Sequence, residues 1–263
     1  FERNQYGHYV YKPKTTTKDL LEEVAPMTTA SFTTSKKSPY CTVNSNVDVL
    51  LLLDASANVR VVDYRIMKEF IENFLTDHFN LRKNRVRVGV LKYGDKVEVP
   101  LALGDYDNQA QLISKISETR RMRGSAHLSA ALRDAAGEFL ISGSTQTPKV
   151  VIVLSNGKSS DDPRGNARVL REDVGAIVYL IDAGGQGDPE QNLAVVGESN
   201  PHRIVSLNEW RGSDSETIGA IADELCEQTK ASIRDKPIDK SIIMLYATTC
   251  YTTLNDKAPL MSQ

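Results

Sequence analysis

The chain has 263 residues, of which 40% are hydrophobic and 25% charged, and a net charge of −2. That is enough apolar material for one packed domain with sizeable tails. It excludes a protein working chiefly by phosphate neutralisation, since there is no basic face with interleaved aromatics, and nucleic acid is not an expected partner. No apolar run is long enough to cross a bilayer, so no membrane span is expected in this chain. Phe1 in place of an initiator methionine reads as the start of a processed or excised piece, its targeting signal unseen. The three cysteines, Cys41, Cys226 and Cys250, are too few for a disulfide scaffold and lack the paired spacing of a zinc site.

Residues 1–46 show little periodicity beyond a YGHYVYKP segment and are dense in threonine, at Thr15, Thr16, Thr17, Thr28, Thr29, Thr33 and Thr34. Such a composition buries too little apolar surface to offset chain entropy, and reads as an N-terminal arm or linker. From Val47 the pattern becomes an alternation of strand and helix. Val47–Asp54 is a buried strand, and Val61–Phe79 an amphipathic helix with Val62, Ile66, Phe70, Phe74 and His78 on one face. Arg85–Tyr93 alternates with period two and turns at Gly94-Asp95 into Lys96–Leu101, which predicts a hairpin and an antiparallel edge strand.

Helices are expected at Asn108–Thr119 and His127–Leu140, and a second wholly apolar strand at Lys149–Leu154, stopped by Ser155-Asn156-Gly157. Then come a helix at Ala167–Asp173, a strand at Gly175–Ile181, a helix at Pro189–Val196, a short strand at Arg203–Ser206 and a last helix at Ser213–Gln228. Six strands and six helices in alternation predict an α/β domain over residues 47–228. It is doubly wound, with a mostly parallel six-stranded sheet, one antiparallel edge strand and helices on both faces. Residues 229–263 read as a C-terminal extension in which Ile242–Tyr246 and Thr248–Thr253 have strand-like content.

In open parallel sheets ligands sit beyond the carboxyl ends of the strands. The first strand ends there in Asp54, Ser56 and Asn58, three oxygen-bearing side chains at alternate positions. A buried strand ending in D-x-S-x, the loop Gly124-Ser125-Ala126-His127 before a helix, and the strand end VVIVLSNGKSSDD resemble, in that order, the von Willebrand factor type A domain. The likeness covers Val47 to about Gln228, and its character is that of extracellular-matrix members such as collagens and matrilins. It implies a Rossmann-like fold and, in metal-binding members, a metal-ion-dependent adhesion site for Mg²⁺ or Mn²⁺ built by three loops. Hard cations of this kind require convergent oxygen ligands.

Carried over position by position, Asp54 and Ser56 remain. Asn58 replaces a serine, Ala126 a threonine and Asn156 an aspartate. The site is therefore expected to be degenerate and to hold no metal; the alternative is a Mg²⁺- or Mn²⁺-dependent adhesion domain that captures an acidic residue of a protein ligand. Asp161 and Asp162 lie near enough in sequence to the third loop to serve as substitute ligands. Without a metal, Asp54 and Ser56 are expected to bond loop backbone and cap the next helix.

The resemblance also implies a disulfide between Cys41 and Cys226, which bracket the domain. In the chain-entropy account such a bridge contributes about 4–5 kcal/mol. Cys250 is left over, as a free thiol or an intermolecular bridge.

Arg120, Arg121 and Arg123, with His127, form a basic cluster beside the ligand-facing edge and read either as solvated surface or as a contact for an acidic protein or glycan. His127 between Ser125 and Ser129 has no nucleophile elbow around it, and Gly184, Gly185 and Gly187 do not form a dinucleotide fingerprint. Trp210 is expected to pack at the sheet end. The expected function is non-catalytic: binding and assembly in a secreted, extracellular-matrix setting, with matrix proteins or further copies of the chain as partners and no cofactor.

Overall fold

The computed structural model describes residues 2–3, 9–10, 46–79, 81, 86–144, 147–207 and 215–231, with side chains of the last helix described over 219–227. The chain divides into two compact units, Phe1–Pro39 and Tyr40–Gln263. In the first, β1 (Glu2–Arg3) pairs antiparallel with β2 (Tyr9–Val10). Cys41, Cys250, Trp210 and the strand-like stretches at 242–253 lie outside the described residues.

In the second unit a six-stranded sheet is organised about β3 (Val47–Asp54), every residue of which is buried. β3 pairs in parallel with β4 (Val86–Tyr93) on one side and with β6 (Lys149–Ser155) on the other. β7 (Ala176–Asp182) and β8 (Ile204–Ser206) continue the parallel set beyond β6, while β5 (Val97–Leu101) runs antiparallel to β4 and closes the other edge. The order is β5-β4-β3-β6-β7-β8. Helices cover both faces of this sheet, which is why β3 reads as an apolar run from Val49 to Leu53.

The two faces of β3 feed two cores. Val47, Val49, Leu51 and Leu53 pack toward α1 (Val61–His78), α2 (Gln109–Glu118) and α6 (Ser215–Ala231). Leu50 and Leu52 pack toward α3 (Leu128–Ile141), α4 (Arg164–Arg168) and α5 (Pro189–Val196). At Gly89, where the loop carrying Leu103 crosses β4, a methyl would lie 2.8 Å from Leu50 Cδ2 and 3.0 Å from the Leu103 amide nitrogen. Glycine lets strand and loop approach.

Two expectations about helices are corrected. On α1, Phe70, Phe74 and His78 are buried as expected, but Val62 is exposed and Ile66 only partly covered. The buried stripe is carried instead by Tyr64, Met67, Ile71 and Leu75, since the helix is rotated toward β3 and α6 about its own axis relative to the simple i, i+4 row. The helix expected at Ala167–Asp173 begins earlier, at Arg164, where Pro163 supplies the cap position and Asp162 Oδ1 accepts the Arg164 amide at 3.1 Å. It then widens into a π-turn over Val169–Asp173, closed by the Val174 amide on the Val169 carbonyl at 3.0 Å.

At the amino ends of the strands, fully buried Asp48 receives a two-pronged ion pair from Arg87, Nε to Oδ1 at 2.8 Å and Nη2 to Oδ2 at 2.7 Å. Arg87 Nη1 also donates to the Ser142 carbonyl just after α3, and Lys149 Nζ to the carbonyls of Ser144 and Thr147. One carboxylate thus ties β3, β4 and the α3–β6 connection together. Removing one partner of a buried pair leaves the other charge uncompensated. We expect Arg87→Met to destabilise the domain by about 3 kcal/mol in chemical denaturation, and a change below about 0.5 kcal/mol would show that Asp48 is adequately solvated without it.

Candidate functional site

The sheet reverses its winding between β3 and β6, so the loops leaving these two strands converge at their carboxyl ends. Asp54 ends β3, flanked across the ladder by Tyr93 of β4, while the neighbouring β3–β6 pair Leu53 and Leu154 sets Ser155 and Asn156 beside it. Asp54, Ser56, Ala126 and Asn156 are all buried at this point, and Asn58 is exposed on the turn. Asp54, Ser56 and Asn156 gather here, Ala126 is buried on the second loop and Asn58 faces solvent.

Asp54 Oδ1 accepts the Ser56 amide at 3.0 Å, as expected of a carboxylate ordering its own loop. The expected capping of the next helix is not found. α1 starts after Arg60, which gives no side-chain cap and instead pairs with Asp63 in the first turn at 2.7 Å. Ala57, Asn58 and Val59 separate Ser56 from Arg60 at the cap position, too far for its hydroxyl to serve the first-turn amides.

Burial pushes the Asp54 carboxyl above its ordinary value, opposed by hydrogen bonds from Ser56 and from the Asn156 backbone. Burial and the charge of Asp54 together raise the Tyr93 phenol well above its usual range. Ser56 Oγ, Tyr93 Oη and Asn156 Oδ1 are buried without a hydrogen-bond partner among the described residues. The loop carrying Gly184 closes over Asn156 so tightly that a side-chain carbon at Gly184 would collide with Asn156 Oδ1.

The three loops are joined by the chain's own bonds. The Ala57 amide donates to the Gly124 carbonyl at 2.9 Å, the Met122 amide to the Ala55 carbonyl, and an Arg121 guanidinium nitrogen to the Val59 carbonyl. The Ser160 amide donates to the Ala126 carbonyl at 2.8 Å, so this residue, lacking the threonine hydroxyl, contributes its backbone oxygen to loop packing. Ser159 Oγ accepts the Leu128 amide at 2.9 Å, and Asp161 accepts the amides of Ser129 and Ala130 at 2.9 and 3.2 Å. The first-turn amides of α3 thereby receive an oxygen and a negative charge from the third loop.

Asp161, which the sequence offers as a substitute ligand, is thus a cap in trans. Asp162 is exposed and paired with Arg164. Nothing in the sequence marks Ser159 and Asp161 as partners of residues 128–130, some thirty positions earlier; only the packing of the third loop on α3 reveals it.

Gly184, Gly185 and Gly187 have a different use from phosphate binding. Their amides converge on Asp182, those of Gly184 and Gly185 on Oδ1 at 3.2 and 2.8 Å and that of Gly187 on Oδ2 at 3.3 Å. An aspartate of the chain already occupies this nest. His127 precedes α3 without a cap bond, and Ser129 Oγ accepts from Asn166 Nδ2 at 2.9 Å. No hydrogen bond joins His127 to Ser125 or Ser129 among the described residues, and no group of three or more His, Cys, Asp or Glu side chains there is arranged to hold a metal ion. Arg120, Arg121 and Arg123 lie exposed on the second loop.

Cys226 is buried in α6 and disulfide-bonded. Its expected partner, Cys41, lies outside the described residues. Non-reducing peptide mapping should recover Cys226 joined to Cys41; a peptide joining it to Cys250 contradicts the pairing.

A carboxyl whose folded value is raised keeps its proton where the unfolded chain has lost it. Its contribution to stability is therefore whole below the unfolded value and is lost as pH rises through the folded one. Asp54→Asn should accordingly raise the thermal midpoint near neutral pH, with the gain shrinking as pH falls through the raised folded value and gone below the ordinary carboxylate value. A lowered midpoint at neutral pH would mean that the loops stabilise the charge.

The sequence model of the von Willebrand factor type A domain family matches residues 48–218. Against the collagen alpha-6(VI) chain of Homo sapiens the chain is 31% identical over 207 residues, covering 75% of this chain and 9% of that one. Against cuticlin-6 of Caenorhabditis elegans it is 24% identical over 187 residues, covering 71% and 32%. The solved structure of proximal thread matrix protein 1 from the mussel byssus, with a zinc occupied MIDAS motif, shares the fold at a TM-score of 0.61 and 19% identity, over 69% of this chain and 46% of that one. The chain therefore spans only a minor part of the length of each. Its family match, its mostly parallel six-stranded sheet and the loops gathered at the carboxyl edge agree, and the chain belongs to the von Willebrand factor type A domain family.

Proposed function

We propose that this chain is a non-catalytic binding and assembly domain of a secreted matrix or adhesive protein, working without a bound metal. Relatives named as collagen and cuticlin support the extracellular-matrix setting, and make matrix proteins or further copies of the chain the expected partners. The observation that carries the metal-free part is the way the loops are joined. Ala126, Ser159, Ser160 and Asp161 bind the second and third loops together, and the backbone of residues 55–59 binds the first to the second.

The donor set also fits a hard divalent cation poorly. Asp54 is its one carboxylate, held in surroundings that favour the neutral form, Asn156 is a neutral amide, Ala126 offers no side-chain oxygen and Asn58 faces solvent. Mg²⁺ demands near-ideal octahedral oxygen ligation and gives up its waters reluctantly.

The second reading, a Mg²⁺- or Mn²⁺-dependent adhesion domain, is favoured by one observation: Ser56 Oγ, Tyr93 Oη and Asn156 Oδ1 are oxygens without partners beside Asp54. If a cation were held there, Asp54 and Ser56 would be its side-chain ligands and it would supply a positive charge for an acidic ligand group. The two readings separate cleanly. Isothermal titration with Mg²⁺ and Mn²⁺ should show no binding tighter than about millimolar, and retention of the chain on immobilised matrix extract should be the same in EDTA as in Mg²⁺. Loss of retention in EDTA, restored by Mn²⁺ and absent in Asp54→Ala, would establish the metal-dependent reading.

A further inference from the structure

The third loop opens on Asn156-Gly157, the single Asn-Gly pair in the chain. In such a pair the backbone nitrogen of the glycine can attack the asparagine side chain, because no Cβ shields it. The fold leaves this attack open. Strand pairing of β6 stops at Ser155, so neither residue is tied into the sheet. The Gly157 amide has one partner among the described residues, Ser155 Oγ at 3.4 Å, longer than an ordinary N–H···O bond. A side-chain carbon added at Gly157 would meet nothing closer than Gln186 at 3.8 Å, so the backbone there has room to turn. Asn156 Oδ1, the oxygen of the group under attack, is buried and accepts no hydrogen bond among the described residues.

An acid at position 156 would stand among other acids. The Asn156 backbone amide donates to the Asp54 carboxylate, and the Asn156 side chain is pressed against Gly184, whose amide donates to Asp182 Oδ1 at 3.2 Å. Asp54 and Asp182 are both buried, and neither pairs with a lysine or arginine among the described residues. The cation nearest along the chain, Lys158, is committed to Asp188 at 2.7 Å.

We propose that Asn156-Gly157 is a self-modification site at which the amide is converted to an acid, opening the third loop. The Gly157 nitrogen gives up its proton and attacks Asn156 Cγ. The new carbon–nitrogen bond closes a cyclic imide, and the side-chain nitrogen takes up a proton and leaves as ammonia. Water then opens the imide. Cleavage at Cγ gives aspartate, and cleavage at the backbone carbonyl gives isoaspartate, in which the main chain runs through Cβ. In sum an amide and a water become an acid and ammonia, and nothing is oxidised or reduced.

Either product loosens the loop. Aspartate adds a buried negative charge beside Asp54 with no cation to balance it. Isoaspartate lengthens the backbone ahead of Ser159 and Asp161, and so displaces the oxygens that receive the Leu128, Ser129 and Ala130 amides. The change runs one way, so the carboxyl edge is closed in new protein and opens with age.

The test ages the whole chain in mildly alkaline buffer with EDTA and follows it by peptide mapping, with electron-transfer fragmentation to separate aspartate from isoaspartate. Acid should accumulate at position 156 ahead of every other asparagine. Gly157→Ala, whose methyl fits the space available, should slow that conversion several-fold while keeping the wild-type thermal midpoint. Asn156→Asp, made directly, should lower the midpoint and speed tryptic cleavage after Lys158 several-fold. Adding Asp54→Asn to it restores the wild-type number of carboxylates and should recover the midpoint.

An amide that persists in the folded chain under conditions that convert it in the urea-unfolded chain overturns the proposal, because the fold then protects the pair. Wild-type midpoint and cleavage rate in Asn156→Asp overturn it as well, since the acid would then open nothing. The ageing of the wild-type chain involves no substitution, and decides the matter even where Asn156→Asp does not fold.

Discussion

Everything in this domain follows from β3 being paired on both sides and covered on both faces. A strand in that position can carry no polar side chain along its middle, because neither face reaches water and the ladder already uses its backbone groups. Polar chemistry is therefore driven to its two ends. At one end stands Asp48, compensated by Arg87 and fixing the amino edge of the sheet. At the other stands Asp54, without a cationic partner, where the winding of the sheet reverses and three loops meet.

The two aspartates show how differently burial acts when the surroundings differ. Asp48 is fully buried yet receives two guanidinium bonds and a backbone amide, so its charge is matched where it sits. Asp54 is nearly as buried but is opposed by burial and helped by neutral donors alone, so its carboxyl is pushed up. The loops around it are joined by Asp161 on the first turn of α3, by Ser159 between the second and third loops, and by backbone bonds between the first and second. A helix N-terminus attracts an acidic group whether it belongs to a ligand or to the chain itself, and Asp161 already fills that role. Asp182, wrapped by the amides of Gly184, Gly185 and Gly187, repeats the same solution one loop further on.

The positive charge that remains available is displaced sideways. Arg120 and Arg123 belong to the second loop and lie exposed, without an ion pair among the described residues. The carboxyl edge thus combines a buried centre around Asp54 with an exposed cationic rim. A rim of this kind governs recognition through encounter rate and salt dependence more than through raw affinity.

Much of this was legible in the residues. The apolar runs at Val49–Leu53 and Val150–Leu154, the period-two stretch before Gly94-Asp95 and the helical spacing between them define a doubly wound sheet with an antiparallel edge, because burial on both faces and the pleat each leave a linear signature. The replacements at Asn58, Ala126 and Asn156 likewise stand in the sequence, since each is a change of chemistry at one position. What the sequence could not show was where freed groups go. Val62 lies exposed although the helical row places it inside, because rotation of α1 is set by its neighbours. Asp161 caps a helix some thirty residues earlier, Asp54 and Ser56 cap none, and Arg120 and Arg123 stay unpaired while other cations find partners. Pattern along the chain determines which residues are buried or polar; only the tertiary structure decides which of them meet, since partners distant in sequence are brought together by the packing of loops on a finished sheet.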